Sequence, residues 1–228
     1  MDGVLLQSKL YMGYAKSAQR VGLPFDIYRP VAAANPLNSG NFVVTIPASF
    51  TEHSASNFNF GKPSDYKSSL SHGLLDGTQV EIGDYLVHAT AGTYFIAAKD
   101  PIVPIFCVNT NRIVTIFKPD DQQRQPGLGG YGGTVASTPA LLQSGDANET
   151  PVMTAWPASV LGGSHGAGGM VLPGDIGTGM FRVLLPSFGG ILIRPGYVVT
   201  DDADKRMIVK MAELGQFGWN LQAQQAIV

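Results

Sequence analysis

Two glycine-rich strings in this chain match motifs that enzymes use. Residues 127–132 (Gly-Leu-Gly-Gly-Tyr-Gly) have the G-x-G-x-x-G spacing that holds a dinucleotide between a strand and a helix. Residues 162–166 (Gly-Gly-Ser-His-Gly) have the G-x-S-x-G spacing of a nucleophile elbow, which also needs a strand before it and a helix after it. Gln125-Pro126 precedes the first string, and no helical pattern follows the second. We therefore interpret both as loops and expect that the chain is not an enzyme.

Metal-binding residue types are present but are poorly spaced for a metal site. Asp201, Asp202 and Asp204 resemble calcium ligands, yet the sixth position of that loop, which should be Gly, is Arg206. The histidines show no paired spacing with one another or with the single cysteine, as zinc sites do; they are His53, His72, His88 and His165. Cys107 lies in an apolar run, which predicts a buried core residue rather than a nucleophile. We expect no metal and no cofactor.

Composition favours a globular protein built from short strands. The 228 residues include 28 Gly and 15 Pro, which favour turns over long helices, and 44% are hydrophobic. Only 14% are charged, with a net charge of −2, and there is no basic run of the kind that grips DNA phosphates. No apolar run is long enough to span a bilayer, and the start lacks a signal-peptide pattern, so we expect no membrane partner. Low charge is typical of surfaces that become buried against another protein.

One block of sequence occurs twice. Residues 83–98 and 195–210 each read as a strand, a polar turn and a second strand. A constant offset without a gap brings identical residues together: Tyr85 with Tyr197, Val87 with Val199, and Ile96 with Ile208. Two interpretations stay open, which are a duplicated β-module and the convergence of two ordinary hairpins.

The elements around these hairpins predict an all-β fold of two small barrel-like or sandwich-like modules, with a short N-terminal α-helix and long Gly-rich loops. The predicted segments are a helix over 1–22, a first β-module over 23–118, a Gly- and Gln-rich linker or arm over 119–150, and a second β-module over 151–228. Within the first module, residues 101–117 predict a hairpin that turns at Asn109–Asn111. The helix is amphipathic, and it either packs on its own module or docks on a neighbouring subunit.

Several stretches resemble a group of tailed-bacteriophage virion proteins. They include Leu-Pro-Phe-Asp-Ile-Tyr-Arg-Pro at 23–30, Trp-Pro-Ala-Ser-Val-Leu at 156–161, and the stretches 14–16, 83–112, 183–186, 194–202, 212–214 and 218–221. The resemblance covers most of the chain, and its motifs are structural rather than diagnostic of a reaction. The hairpin modules also resemble the small β-barrels of phage neck and tail-completion proteins, at the level of fold alone.

The resemblance implies a structural component of a tailed-phage virion, assembled in the cytoplasm of the bacterial host. We expect an oligomeric ring at the head–tail neck, or at the baseplate and tail tip. Its partners would be further copies of itself and other phage neck, tail or baseplate proteins, with DNA at most passing through a lumen. The candidate subunit-interface residues are Leu6, Leu10, Tyr14, Tyr28, Arg29, Leu128, Tyr131 and Met170.

Two alternatives remain at this point. A receptor- or carbohydrate-binding tail accessory would use aromatic rings to stack on sugars, and Tyr131, Trp156 and Trp219 are the candidates. A capsid decoration protein would share the β-rich, weakly charged composition. Burial of the two tryptophans would remove the main support for sugar binding.

Overall fold

A computed structural model describes residues 3–51, 69–100, 103–119, 149–162 and 179–225. These ranges hold one α-helix, one 3₁₀ turn at Ser39–Asn41, and twelve β-strands. The bounds are α1 Gly3–Val21, β1 Leu23–Tyr28, β2 Phe42–Thr51, β3 Leu70–Leu74, β4 Tyr85–His88, β5 Gly92–Ala98, β6 Ile105–Thr110, β7 Arg112–Pro119, β8 Glu149–Gly162, β9 Met180–Leu185, β10 Val198–Asp201, β11 Arg206–Gly215 and β12 Gly218–Gln225. Helix α1 is not apolar enough over its length to cross a membrane.

The strands form two closed, antiparallel barrels of six strands each. The first barrel has the order β1-β2-β3-β6-β5-β4, and β4 returns to pair with β1. The second has the order β7-β8-β9-β12-β11-β10, and β10 returns to pair with β7. The strand order is therefore the same in both barrels. The prediction of an all-β fold with two barrel-like modules and an N-terminal helix is confirmed.

Each barrel encloses its own apolar core because alternate side chains of a strand point to the same face. In the first barrel, Phe25 and Ile27 of β1 and Ile105 and Cys107 of β6 point inward and are fully or almost fully buried. In the second barrel, the inward residues of the corresponding strands include Val114, Ile116, Leu221 and Ala223. The expectation that Cys107 is a core residue is confirmed.

The turns that lead into β4 and β10 show that the barrels repeat one unit. Gly83 and Gly196 stand at matching places with φ of 94° and 92°, a conformation that favours glycine. The amide of Gly83 donates to the carbonyl of Ile96 at 2.9 Å, and that of Gly196 donates to the carbonyl of Val209 at 2.8 Å. Both partner strands also carry a register shift at the same place, directly after Ile96 and after Val209.

This register corrects the sequence alignment of the two hairpins by one residue. Tyr85 pairs with Phe95 just as Val198 pairs with Ile208, so Tyr85 corresponds to Val198 and not to Tyr197. A slip of one residue moves a side chain to the opposite face of a strand. Tyr85 is completely buried, whereas Tyr197 is half-buried.

Short strings at matching places extend the repeat beyond the hairpins. The end of β1 reads Ile-Tyr-Arg-Pro at 27–30, and the end of β7 reads Ile-Phe-Lys-Pro at 116–119. Strands β2 and β8 both contain Pro-Ala-Ser, at 47–49 and 157–159, in the same register against β1 and β7. Strand order, register and local sequence therefore agree that the barrels are copies of one structural unit.

The predicted hairpin over 101–117 is wrong. Strand β7 pairs with β8 and β10 of the second barrel, and only Asn111 separates it from β6 of the first. The backbone amide of Asn111 donates to the carbonyl of Ala158 at 3.0 Å, and its side chain exchanges hydrogen bonds with the backbone of Val160 at 2.8 and 2.9 Å. These bonds fix Asn111 to β8 of the second barrel. The first module predicted over 23–118 therefore included β7, which belongs to the second barrel.

Helix α1 packs on its own barrel through one narrow stripe. Ala18 is fully buried, and a side chain at Gly22 would come within 2.8 Å of the Ala48 carbonyl oxygen on β2. Tyr11 lies over Gly77, where a Cβ would be 2.7 Å from the ring, and the Lys99 ammonium is 5.4 Å from the ring centroid. Of the two positions predicted for the helix, the structure therefore has it on its own module.

Candidate assembly surface

The strings that resemble catalytic motifs fall mainly outside the described residues. The whole of 127–132 does so, and only Gly162 of the second string is described. Within the part of the chain that the structure describes, no group of His, Cys, Asp and Glu side chains is arranged to hold a metal ion.

The aspartates spaced like calcium ligands instead shape the β10–β11 turn. Asp201 is buried, and its Oδ1 accepts hydrogen bonds from the amides of Ala203 at 3.0 Å and Lys205 at 2.8 Å. Asp202 points elsewhere and lies 3.4 Å from the Arg112 guanidinium. This turn therefore uses one carboxylate to satisfy its own backbone, as Asx turns commonly do.

The described histidines, His72 and His88, and the single cysteine contact a turn, an aromatic ring and the barrel core. His88 Nδ1 faces the amides of Thr90 at 3.1 Å and Ala91 at 3.0 Å, in the turn of the first barrel that matches the Asp201 turn. His72 packs against Phe106, with ring centroids 5.7 Å apart. Complete burial raises the pKa of the Cys107 thiol well above its ordinary value, because the core disfavours the thiolate. The remaining histidines, His53 and His165, lie outside the described residues.

Both tryptophans are buried and cannot offer a face to a sugar. Trp156 is fully buried, and its indole N–H donates to the carbonyl of Ala33 at 2.6 Å. Trp219 is only 4% exposed and packs in the core of the second barrel, as its inward alternation with Leu221 predicts. Tyr131, the third aromatic candidate, lies outside the described residues. The sugar-binding alternative thus loses the support of both tryptophans.

Tyr85 is a strand residue of the first barrel that packs into the second. It points out of the first barrel into the core of the second, and its ring lies 6.0 Å from that of Trp156 in an edge-to-face arrangement. The Tyr85 hydroxyl donates to the carbonyl of Pro157 at 2.9 Å. Burial raises the pKa of this phenol well above its ordinary value, so the hydroxyl keeps its proton for the hydrogen bond.

The connection between β1 and β2 also reaches the second barrel. Ala33, Ala34 and Asn35 run beside β8, where Ala34 forms a parallel bridge with Thr154. The amide of Thr154 donates to the carbonyl of Ala33 at 3.0 Å, and the amide of Asn35 donates to the carbonyl of Thr154 at 2.8 Å. We call residues 33–35 the barrel arm. Tyr85 and the arm thus both connect the first barrel to the second.

A cleft of about 330 Å³ lies between the barrels beside this junction. The β11–β12 hairpin forms one wall, and the ring of Phe217 at its tip packs 5.2 Å from that of Phe106 on the first barrel. Arg182 lies at the cleft with its Nε bonded to the Asn220 side chain at 2.9 Å. The other lining residues are mainly apolar, among them Leu70, Val108 and Leu184.

The predicted interface residues occupy different environments. Leu6 is 39% exposed on α1, while Leu10 and Tyr14 are half-buried along the stripe that faces the barrel. Tyr28 packs edge-to-face on Phe42, with ring centroids 5.9 Å apart. Of the remaining four, Leu128, Tyr131 and Met170 lie outside the described residues, and Arg29 is treated next.

Arg29 bonds carboxylates of its own barrel, at the partly exposed end of β1. Its Nε and Nη2 bond both carboxylate oxygens of the buried Asp84, at 2.9 and 2.8 Å, and its Nη1 reaches Glu81 at 2.8 Å. The hydrogen bond to Asp84 raises the pKa of Arg29, although partial burial opposes it. This two-pronged pair ties the end of β1 to the turn before β4.

Large apolar side chains remain exposed on both barrels and on the helix. Val4, Leu5 and Met12 project from α1, away from the stripe that packs on the barrel. The strands and turns add further ones: Leu23, Val31, Phe42, Val43, Leu70, Ile82, Val103, Ile113, Leu192, Met211, Leu214 and Phe217. Together with the low charge of the chain, of which 14% of residues are charged, these side chains are the described feature that most resembles a set of protein contacts.

No family model, curated protein or solved structure matches this chain.

Sequence reasoning missed the barrel arm and the role of Tyr85. Both depend on contacts between residues far apart in the chain, such as Ala33 with Thr154, which local patterns do not encode. A usable signal was present in the repeat of Ile-Tyr-Arg-Pro as Ile-Phe-Lys-Pro and in the two copies of Pro-Ala-Ser. Aligning these strings would have shown that β1 corresponds to β7 and that β2 corresponds to β8 in the repeat.

Proposed function

We propose that this chain is a structural component of a tailed-phage virion, and that it forms an oligomeric ring at the neck, baseplate or tail tip. The observation that carries the proposal is the pair of closed barrels, connected by Tyr85 and the barrel arm, with large apolar side chains exposed on their outer surfaces. Closing a sheet into a barrel pairs most of each strand on both sides, so such a fold offers few strand edges for pairing with other chains. Contacts between subunits then depend on side-chain surfaces and connections.

Composition supports the same proposal. A weakly charged surface loses little solvation energy when a neighbouring subunit covers it, because burying unpaired charge is costly. The resemblance of residues 23–30 and 156–161 to phage virion proteins is the reason for proposing a phage virion as the assembly. In the fold, those two stretches contribute to β1 and β8, which are connected to each other by the barrel arm through Ala33 and Thr154.

The test is the mass of the purified full-length chain in solution. We expect light scattering on a size-exclusion column to give a closed multiple of the 24.1 kDa chain, and negative-stain images of that fraction to contain rings. A partner-dependent ring would instead form only on addition of a neighbouring virion protein. A chain that stays monomeric at high concentration and joins no particle on reconstitution would contradict the proposal.

A further inference from the structure

We propose that the outer face of helix α1 docks into the cleft between the two barrels of a second copy of this chain. The docking face is a stripe of exposed residues spaced by three or four positions, which we call the outer stripe: Leu5, Lys9, Met12, Lys16 and Arg20. The inference rests on the proposed function and specifies how neighbouring subunits would join. Both surfaces that it uses are formed by described residues.

The outer stripe is basic, and its cations have no charge partner among the described residues. Helix α1 contains Lys9, Lys16 and Arg20 but no Asp or Glu. The ion pairs within the part of the chain that the structure describes are made by other arginines, namely Arg29, Arg112 and Arg206. The cations of α1 are therefore available to an acidic partner.

The remainder of the chain has the opposite charge. The whole chain has 15 Lys and Arg against 17 Asp and Glu. Because α1 holds three of these cations and none of the acids, the rest of the chain has 12 cations and 17 acids, which is a formal net charge of −5. A second copy of this chain is thus an acidic partner for α1, whereas two α1 helices would repel each other.

Two large apolar residues of the outer stripe are exposed beside its cations. Leu5 and Met12 are each 52% exposed. They lie seven positions apart, about 10 Å along the helix, and Lys9 lies between them. Apolar side chains at i and i+7 of an amphipathic helix are common anchors when a helix binds a groove. A phosphate backbone would pair with the cations but would not bury these two side chains, so the stripe favours a protein groove that holds a carboxylate.

The cleft between the barrels offers both features. Its volume of about 330 Å³ is in the size range of pockets that bury apolar ligand groups, and Leu70 and Phe217 of its lining remain 41% and 45% exposed. Glu213 of the β11–β12 hairpin also lines the cleft, and its exposed carboxylate makes no ion pair within the described ranges. The other charged lining residue, Arg182 on β9, is separated from Glu213 by β12 and is bonded to Asn220.

The proposed contact places Lys9 beside the Glu213 carboxylate of the second copy. Leu5 and Met12 then lie against the apolar lining, one on each side of this charge pair. Burial of the apolar side chains would supply affinity, and the charge pair at the rim would fix the register of the helix in the cleft.

This contact is head-to-tail, since the helix and the cleft are separate surfaces of one copy. On its own barrel, α1 packs at Ala48, Gly77 and Lys99, and none of these residues lines the cleft. A head-to-tail interface uses two different surfaces, so repeating it generates a closed ring when the rotation between subunits closes.

The test exchanges the charges of the central pair and follows assembly by light scattering over a dilution series. Lys9→Glu places a second carboxylate opposite Glu213, and Glu213→Lys places a second ammonium opposite Lys9. Each variant alone should raise the protein concentration at which half of the chains are assembled by about tenfold or more, because repulsion replaces attraction.

Combining the two substitutions should restore assembly. In an equimolar mixture, each helix meets a cleft of opposite charge in the other variant, and the double variant Lys9→Glu/Glu213→Lys restores the pair in every subunit. Lys118→Glu is the matched control, because Lys118 is an exposed lysine of β7 that lies outside the helix and the cleft, and it should assemble as the wild type does.

The outcomes separate this inference from the proposed function. If Lys9→Glu is folded by circular dichroism and assembles at the same concentration as Lys118→Glu, helix α1 is not the docking element and the inference is wrong, while the ring remains. If both single variants fail to assemble and neither their mixture nor the double variant recovers assembly, the pairing of Lys9 with Glu213 is overturned.

Two further results would also overturn the inference. Binding of duplex DNA that Lys9→Glu abolishes, with no effect on assembly, would assign the outer stripe to nucleic acid. A wild type that stays monomeric at high concentration would exclude the contact between copies, and it would contradict the proposed function as well only if the chain also joins no particle on reconstitution.

Discussion

Replacing Tyr85 with phenylalanine removes one hydroxyl from the junction between the barrels and leaves the aromatic ring in place. The hydroxyl donates to the carbonyl of Pro157 at 2.9 Å, and both residues are buried. We therefore expect the Tyr85→Phe variant to keep the fold and to lose part of the coupling between the barrels.

The magnitude follows from what the deletion leaves behind. Tyr85 has no exposed surface, so water cannot replace the lost donor, and the Pro157 carbonyl becomes a buried acceptor without this partner. Leaving a buried polar group unsatisfied costs about 1–3 kcal/mol. The edge-to-face contact with Trp156 is retained, so no further loss from the ring is expected. Tyr85→Ala would also open a cavity and should cost about 3–5 kcal/mol.

The assay is urea unfolding followed by tryptophan fluorescence, because Trp156 lies against Tyr85 and reports on the junction. With a slope of about 2–3 kcal/mol per molar urea, the expected loss of about 1–3 kcal/mol lowers the urea midpoint by roughly 0.3–1.5 M. Tyr197→Phe is the control, since Tyr197 is half-buried and the hairpin register shows that it does not occupy the place equivalent to Tyr85 in the second barrel. That control should change the free energy of unfolding by less than about 0.5 kcal/mol.

An unchanged midpoint in Tyr85→Phe, or an equal loss in Tyr197→Phe, would refute the reasoning. The first result would mean that the Pro157 hydrogen bond does not contribute to stability. The second would mean that the two tyrosines are equivalent, as the ungapped sequence alignment implies, and that the register of β10 on β11 is shifted by one residue.

Three further predictions concern the interior and the turns. Glu149→Gln should lower the free energy of unfolding more than Asp202→Asn does, because the Glu149 carboxylate lies 2.6 Å from the Arg206 guanidinium and both side chains are buried. The exposed Asp202→Asn should cost at most about 1 kcal/mol in urea unfolding, and equal losses in the two variants would contradict this. Cys107 should react with an aromatic disulfide reagent only after denaturation, since burial raises the pKa of its thiol, and rapid labelling of the native protein would contradict its place in the core. Burial raises the pKa of Asp76, but hydrogen bonds from its turn lower this pKa by more, so the folded pKa lies below the unfolded one. The unfolded chain therefore binds the proton more readily, and the contribution of Asp76 to stability is lost as pH falls through the lowered folded pKa. Asp76→Asn should flatten the decline of stability below about pH 4, and an unaltered slope would argue against this.

Much of the fold could be predicted from the sequence because its signals are local. The pattern of a strand, a polar turn and a second strand over 83–98 predicted the β4–β5 hairpin, and the amphipathic pattern of the first residues predicted α1. The closure of each barrel and the matching strand orders could not be read in this way, since pairings such as β1 with β4 join distant residues.

The boundary between the barrels shows how a local signal can mislead. Asn109–Asn111 has the composition of a hairpin turn, which predicted that β6 and β7 are neighbours. In the structure, the side chain of Asn111 bonds to the backbone of Val160 on β8, so the same residue type directs the chain into the other barrel. A turn residue indicates a change of direction but does not specify the next strand's partner.

The candidate surface was the least predictable part. The sequence analysis named Arg29 as a candidate interface residue, but in the structure its guanidinium bonds the carboxylates of Asp84 and Glu81. Conversely, Phe42 and Val43 read as ordinary strand residues, and only the fold shows that they are 46% and 44% exposed. Exposure of an apolar residue depends on the whole fold, so a local pattern does not reveal it.

The measurement that tests the central claim most directly is peptide mass spectrometry of tailed particles purified from the lysate in which this chain is produced. The account predicts that peptides of the chain are retained in the particle fraction through density-gradient purification, at several copies per particle. Recovery of the chain only in the soluble fraction, with none in intact particles, would contradict it.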